Sequence, residues 1–410
     1  MVGTKAPKRV LMDAGFLAPW IAEFASSLKA LAHSDLTIGG YVDSGRHFAA
    51  WVCETGLKLD GLGKGTLDDF ARHRCRCAGG RQRKTVSAKY ARRAGRFVAY
   101  LAERGVVPAA PPAPVEIVHP QILAYQRWLV THRGLSDRSV WRQGRLVKRL
   151  LVALGDDPEA YNATTIRAAV RAEAQRCSPS HLRTMTSALR GYLRFLSASG
   201  LCRPGLDQAV PPVLQWRLSA LPRYLPTADV ERLIATCDIS NPLDLRDRAV
   251  LLLLARLGLR AGDVWGLRLG DFDWVTGTVR VCGKSRRSVR LPLPQDVGDA
   301  VLAYIGNGRP VATEDRLFLR SKAPHRPFTA SSSISYIVAR ALRRGGVEDP
   351  PSKGASLLRH SAATTMLRAG ATLEAVGAVL RHRSLDMTAH YAKVDVRMLE
   401  TIAQPWPGEV

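Results

Sequence analysis

One short segment does most to set what this chain can fold into: Val-Val-Pro-Ala-Ala-Pro-Pro-Ala-Pro-Val at residues 106–115. Proline lacks a backbone N–H and fixes φ, so neither a helix nor a strand ladder runs through such a stretch, and it reads as a stiff, extended linker. One folded unit ends before it and another begins after it, as expected of 410 residues, more than one core ordinarily organises. Upstream, Ile21, Phe24, Leu28 and Leu31 keep helical spacing, as do Val86, Tyr90, Phe97 and Leu101, with Gly105 as the stop. Downstream, helices are expected near 122–130, after LSDRSVW as far as Leu154, from Thr164, and from Leu182 to Leu196. SDLTI at 34 matches SDRSV at 136, and GRFVAYL at 95 matches RGYLRFL at 190, which points to a duplicated four-helix module. A second proline-punctuated stretch, PPVLQWRLSALPRYLP, follows. The expected division is a helical module at 1–107, a Pro/Ala linker at 108–117, a second helical module at 118–205, a linker at 206–223 and a C-terminal domain at 224–410.

The net charge of +25, from 60 Lys and Arg against 35 Asp and Glu, calls for a polyanionic partner. Double-stranded DNA fits best. A membrane does not, because the most apolar run, AVLLLLA at 249–255, stops at Arg256, far short of the ~20 residues a span requires, and reads as a buried helix. No charged start followed by an apolar stretch and a cleavage site opens the sequence, so a cytoplasmic, nucleoid-associated protein is expected. The seven scattered cysteines suit a reducing compartment. Only His73, Cys75 and Cys77 in HRCRC hint at metal, and without a further ligand pair at usable spacing no metal site and no cofactor are expected.

The basic residues are concentrated. Between Phe70 and Ala102 there are ten Lys or Arg and no Asp or Glu. In the second module Arg138, Arg142, Arg145 and Arg149 fall at i, i+4, i+7 and i+11, while Val140, Val147, Leu151 and Leu154 form an apolar set on another side of the same helix. One face suits a core and the other suits DNA phosphates, contacts that position a protein without reading a sequence.

The C-terminal region changes grammar. TADVERLIATC opens a helix with Thr227 as its cap, LRDRAVLLLLARLGLR supplies a long buried one, and GTVRVCGKSRRSVRLPL alternates around a glycine turn as a strand pair. Helix patterning returns from SSSISYIVARALRRGG onward. The expected class is mainly α with a small antiparallel sheet, α+β.

Several polar residues of this region sit where a core should be. Arg260 ends the aliphatic helix, Lys284 lies at the strand turn, and Arg359 follows Leu357 and Leu358, with His382 and Tyr391 beyond. At these residues the sequence resembles the tyrosine recombinases of the phage integrase family, over roughly 224–400. LGLRAGDVWGLRLGDFD resembles the first-arginine box, with Asp263 as the acidic companion of Arg260; VCGKSRRSVRLPL resembles the turn that carries the family's lysine; SLLRHSAATTMLRAG resembles the second-arginine box; LRHRSLDMTAHY carries the histidine and the tyrosine nucleophile. The resemblance implies helical DNA-binding modules followed by a tyrosine-recombinase catalytic domain, and an enzyme that cleaves and rejoins DNA through a covalent 3′-phosphotyrosine, integrating or excising a mobile element. It implies Arg260, Lys284, Ser356, Arg359, His382 and Tyr391 as the catalytic set.

The chemistry agrees. A phenol with a pKa of about 10 needs help to attack a phosphodiester, guanidiniums stabilise the charge that builds on the nonbridging oxygens, and a lysine can protonate the leaving 5′ oxygen. The departures are Ser356, where the family usually has a histidine three residues before the second arginine, and Arg381, where glycine is common. Serine is no base near neutral pH, and His360 is read as mainly structural. Two other readings keep the ancestry: a catalytically weakened DNA-binding accessory protein, or a type IB-like topoisomerase. In the tail, Val394, Met398 and Ile402 form a short apolar stripe; the resemblance implies that this segment docks on a neighbouring subunit, building a homo- or hetero-tetramer on paired sites, the other reading being that it folds back on its own domain.

Overall fold

The computed structural model describes residues 12–75, 77, 85–109, 119–214, 222–282, 288–382, 384 and 386–394. The chain divides into two compact units, Met1–Pro111 with Leu221–Val410, and Pro112–Ala220. No helix among the described residues is long and apolar enough to cross a membrane.

The first helical bundle consists of α1 (Ala18–Ala30), α2 (Asp35–Glu54), α3 (Lys64–Arg72) and α4 (Ala88–Glu103). The apolar spacing read from the sequence is the reason it folds: Ile21, Phe24 and Leu28 of α1 meet Phe97 and Leu101 of α4 and Phe48 of α2 in one buried core. Ser87 caps α4 by accepting the Tyr90 N–H. The second unit repeats the plan with α5 (Pro120–Arg133), α6 (Asp137–Leu154), α7 (Ala163–Ala174) and α8 (Pro179–Ala198). In each bundle the first helix packs on the second, the second on the fourth, the third on the fourth and the first on the fourth. Val140, Val147, Leu151 and Leu154 of α6 are all buried, against Tyr125 and Tyr192 among others. At the start of α7 the Asn162 carboxamide accepts the N–H groups of Thr164 and Thr165 at 3.0 Å, satisfying donors the helix leaves open.

The C-terminal domain is built around α10 (Pro242–Leu257), preceded by α9 (Thr227–Ala235). Pro226, and not Thr227, stands at the cap of α9. Leu251, Leu252, Leu253 and Leu254 are all buried because α9, α12, α13 and α14 cover α10 from several sides. Between α11 (Ala261–Gly266) and α12 (Gln295–Ala303) lies an antiparallel sheet in the order β1 (Phe272–Asp273), β2 (Thr278–Cys282), β3 (Ser288–Pro292). Val279 pairs with Leu291 and Val281 with Val289, the register that puts Val279, Val281 and Leu291 inward. α13 (Ser332–Arg344), α14 (Ser356–Arg368), α15 (Leu373–Val379) and α16 (Asp386–Ala389) follow, ending in a 3-10 turn at His390–Val394.

A buried charge network ties α13 to the first turns of α10. Asp247, 0% exposed, accepts from Arg246 Nε at 3.1 Å and Nη2 at 2.8 Å, and pairs with Arg340, while Arg344 pairs with Asp244. The acids sit near the positive end of α10, where its dipole also favours them.

Candidate active site

Three segments far apart in sequence converge on one small volume. At the end of α10, Gly258 takes a left-handed φ of +57°, and a Cβ there would lie 2.5 Å from Leu380 Cδ2, so only glycine fits. The turn sends Arg260 to the cap of α11, where the Asp263 carboxylate accepts its backbone N–H at 2.9 Å. Arg359, on the first turns of α14, is 7% exposed. Its Nη1 donates to the Gly258 carbonyl and its Nη2 to the Leu380 carbonyl at 2.6 Å, leaving other donors of the five-N–H fork for a ligand. Arg260 Nη2 in turn donates to the Arg381 carbonyl at 3.4 Å. Burial, with Arg260 beside it, lowers Arg359 to about 10, which leaves it charged at neutral pH.

Arg381 adds a third guanidinium. It pairs with Asp263, its side chain is 10% exposed, and its Nε and Nη1 have no hydrogen-bond partner among the described residues. Its φ is +54°, the left-handed region that favours glycine, which gives a backbone reason for the glycine common at this place in the family the motifs resemble. An arginine held there, with donors to offer, makes the cleft more positive than two arginines alone.

His382 Nδ1 lies 2.7 Å from Thr388 Oγ1, and Thr388 is 0% exposed. Burial first, then Arg359, Arg260 and His360, push His382 down to about 4. It is neutral at pH 7, and when Thr388 donates to Nδ1, Nε2 keeps its proton for an oxygen of a ligand.

Tyr391, the nucleophile by resemblance, is 2% exposed and packs in cis against Ala363, Leu367, Val376 and Leu380 of its own chain. The physical reason is that α15 and the turn after α16 fold back on α14, giving the ring an apolar seat. The ring lies nearly parallel to His382, with centroids 6.4 Å apart and planes at 8°. Its Oη is 2.5 Å from His360 Nδ1. Burial raises the phenol above its ordinary value, with Arg359 and Arg260 pulling the other way. Burial, then His390 and Arg359, lower His360. A protonated phenol donating to a neutral imidazole is therefore the resting arrangement.

That geometry bears on two residues. His360, read as mainly structural, touches the tyrosine oxygen. Ser356, expected in the catalytic set, is exposed at the start of α14. It shares the helical face of His360, which is the residue of that face hydrogen-bonded to Tyr391. Thr388 and Arg381 also went unassigned as functional groups in the sequence; the signal for Arg381 was its place in a glycine position. Lys284 lies outside the described residues, between β2 and β3, as do Met398, Ile402 and the Val394 side chain. Of the basic stripe on α6, Arg138, Arg142, Arg145 and Arg149 are all exposed, and Arg145 stacks over Trp141 at 4.9 Å. Arg149 differs from its companions: its Nη2 is 2.5 Å from Glu173, 7% exposed on α7, an ion pair within the bundle.

Residues 223–398 match the phage integrase family. The protein y4rA of Sinorhizobium fredii, assigned as an integrase/recombinase, is 41% identical over 297 residues, covering 71% of this chain and 72% of that one. The chain belongs to the phage integrase family. The tyrosine recombinase XerC of Bacillus subtilis is 30% identical over 219 residues, 52% of this chain and 70% of that one. Among solved structures, a XerH site-specific recombinase bound to palindromic difH substrate shares the fold, with a TM-score of 0.54 at 18% identity over 72% of this chain and 98% of that one. This tyrosine recombinase thus carries the catalytic domain of a DNA breaking and rejoining family.

Proposed function

We propose that this recombinase cuts duplex DNA by attack of Tyr391 Oη on a scissile phosphorus and uses the reaction to integrate or excise a mobile element, as a tetramer on paired sites. The observation that carries the reading is the 2.5 Å contact of Tyr391 Oη with His360 Nδ1 beside Arg260 and Arg359. As the Oη–P bond forms, the phenolic proton passes to His360, and the P–O5′ bond breaks. The 5′ oxygen takes a proton from Lys284, the role the family resemblance gives that residue. The nonbridging oxygens gain charge and take hydrogen bonds from Arg260, Arg359, Arg381 and His382 Nε2. The phosphotyrosine keeps the bond energy, so rejoining is the same sequence reversed. Arg138, Arg142 and Arg145 grip phosphates along the flanking duplex. The mobile-element role is supported by likeness to y4rA, assigned as an integrase/recombinase.

A pool of nicked random-sequence duplexes tests this, because a nick beside the cleaved bond lets the leaving strand diffuse away and traps the adduct. Covalent protein–DNA adducts at one recurring sequence, absent in Tyr391→Phe, are expected. Adducts at every sequence would indicate a relaxing topoisomerase, and none, with DNA still bound, an accessory protein.

A further inference from the structure

Four metal-seeking donors meet in the first helical bundle, on elements the cleavage chemistry does not use. His47 projects from α2; His73, Cys75 and Cys77 follow the end of α3, and one donor atom from each lies within 4.8 Å of the others. His47, Cys75 and Cys77 are 5%, 1% and 3% exposed. His47 Nε2 is 3.2 Å from Cys75 Sγ, and both cysteines are free thiols. His73 Nδ1 lies 2.5 Å from the Phe70 carbonyl, so that nitrogen donates a proton and Nε2 is left as a bare lone pair. His73 Nε2 is buried with no hydrogen-bond partner among the described residues. A ring nitrogen oriented by a backbone carbonyl, with the other aimed at its neighbours, is how metal-ligating histidines are held.

The surroundings exclude water. Phe70 packs on His47 with centroids 5.2 Å apart and on His73 at 4.9 Å, and Tyr90 closes on His47 at 5.6 Å. A buried imidazole nitrogen without a partner is costly in such a place unless something binds it. The HRCRC motif supplied three donors, too few to read as a site; α2 brings the fourth, and the expectation of no metal rested on its absence from the local sequence.

We propose that His47, His73, Cys75 and Cys77 bind one zinc ion. Bonds of about 2.3 Å to sulfur and about 2.0 Å to nitrogen set tetrahedral edges of roughly 3.3–3.8 Å, against 3.2 Å between His47 Nε2 and Cys75 Sγ and no more than 4.8 Å between any two of the four donors. Two thiolates cancel the charge of the dication, so the ion and its four ligands together carry no net charge. The mixed sulfur and imidazole set selects zinc over oxygen-seeking cations, and four protein ligands leave no open position, which makes the site structural. The ion ties the segment after α3 to α2. By sequence that segment holds Arg74, Arg76, Arg81, Arg83 and Lys84, so the metal fixes the base of a strongly basic stretch.

The test uses the full-length protein purified without chelator. Elemental analysis is expected to give one zinc per chain, falling at least about tenfold in Cys75→Ser, Cys77→Ser and His47→Ala, and unchanged in Cys53→Ser. As ligand variants can misfold, a second measurement stays on the parent protein: zinc is withdrawn by a chelator and Co2+ is titrated in. The visible spectrum of tetrahedral, thiolate-bound cobalt should rise, saturate at one per chain and bleach when zinc is added. A parent protein with neither zinc nor that spectrum, or a Cys75→Ser protein with full zinc, overturns the site.

Discussion

His360→Ala removes the group that touches Tyr391 Oη, and the structure separates its two effects. The phenol belongs to a side chain 2% exposed, so its hydroxyl loses its partner without gaining water. That costs about 1–3 kcal/mol of stability. The reaction also loses its proton acceptor, which slows cleavage by roughly 10²–10⁴-fold. His360→Gln divides the two: the amide oxygen can accept the phenol hydrogen bond, restoring most of the stability, but it takes no proton at neutral pH, so the rate stays low. The assay is single-turnover formation of the covalent adduct on a nicked duplex, with DNA binding by anisotropy and thermal melting in parallel. Burial, His390 and Arg359 hold His360 below its ordinary 6.5. It is therefore a competent acceptor across neutral pH and is protonated only on the acid side, where the parent enzyme's rate should fall; both variants should lack that acid limb. Adduct formation at the parent rate in His360→Ala, or a rate restored by glutamine along with stability, would refute the assignment.

Other outcomes follow from neighbouring features. Arg142→Ala and Arg145→Ala should each flatten the log–log salt dependence of DNA binding by about one unit, whereas Arg149→Ala should instead lower the melting temperature, because Glu173 is left buried without its cation. Ser356→His, at an exposed position, should change folding stability by no more than about 0.5 kcal/mol and leave the cleavage rate unchanged; a large acceleration would support a catalytic place for residue 356. Burial, then Arg359 and Arg260, set His382 at about 4 in the folded chain against 6.5 unfolded. On acidification the unfolded chain takes up that proton first, so stability present above 6.5 is lost as pH falls toward 4. Urea unfolding of His382→Gln should show a shallower loss across that window.

Much of the fold was legible because its signals are local. The apolar spacing on α1, α4, α6 and α8 is a property of single helices, and the alternation around residues 277–293 is a property of one hairpin. β1, two residues long, carries no period to read. At the site, Arg260, Arg359, His382 and Tyr391 stood in recognisable motifs, and the structure brings them together. What the sequence withheld depends on how helices meet. Whether Ser356 or His360 faces the tyrosine depends on how far along α14 the turn at 390–394 lands, and both lie on one helical face. Arg149 looked like its companions until α7 placed Glu173 against it. His47 gave no sign of belonging with HRCRC, since α2 carries it from another part of the chain.

The reciprocal backbone contacts around the two arginines have an engineering consequence. The carbonyl of Gly258 holds Arg359, and the carbonyl of Arg381 holds Arg260. Each arginine is thus aligned by the loop that follows or flanks another motif, and the two loops interlock where Leu380 fills the space above Gly258. A chimera that joins the first-arginine loop of one recombinase to the C-terminal loop of another would break that alignment even with every motif residue present. Hybrid enzymes made from this scaffold should exchange residues 258–263 and 377–391 as a single cassette.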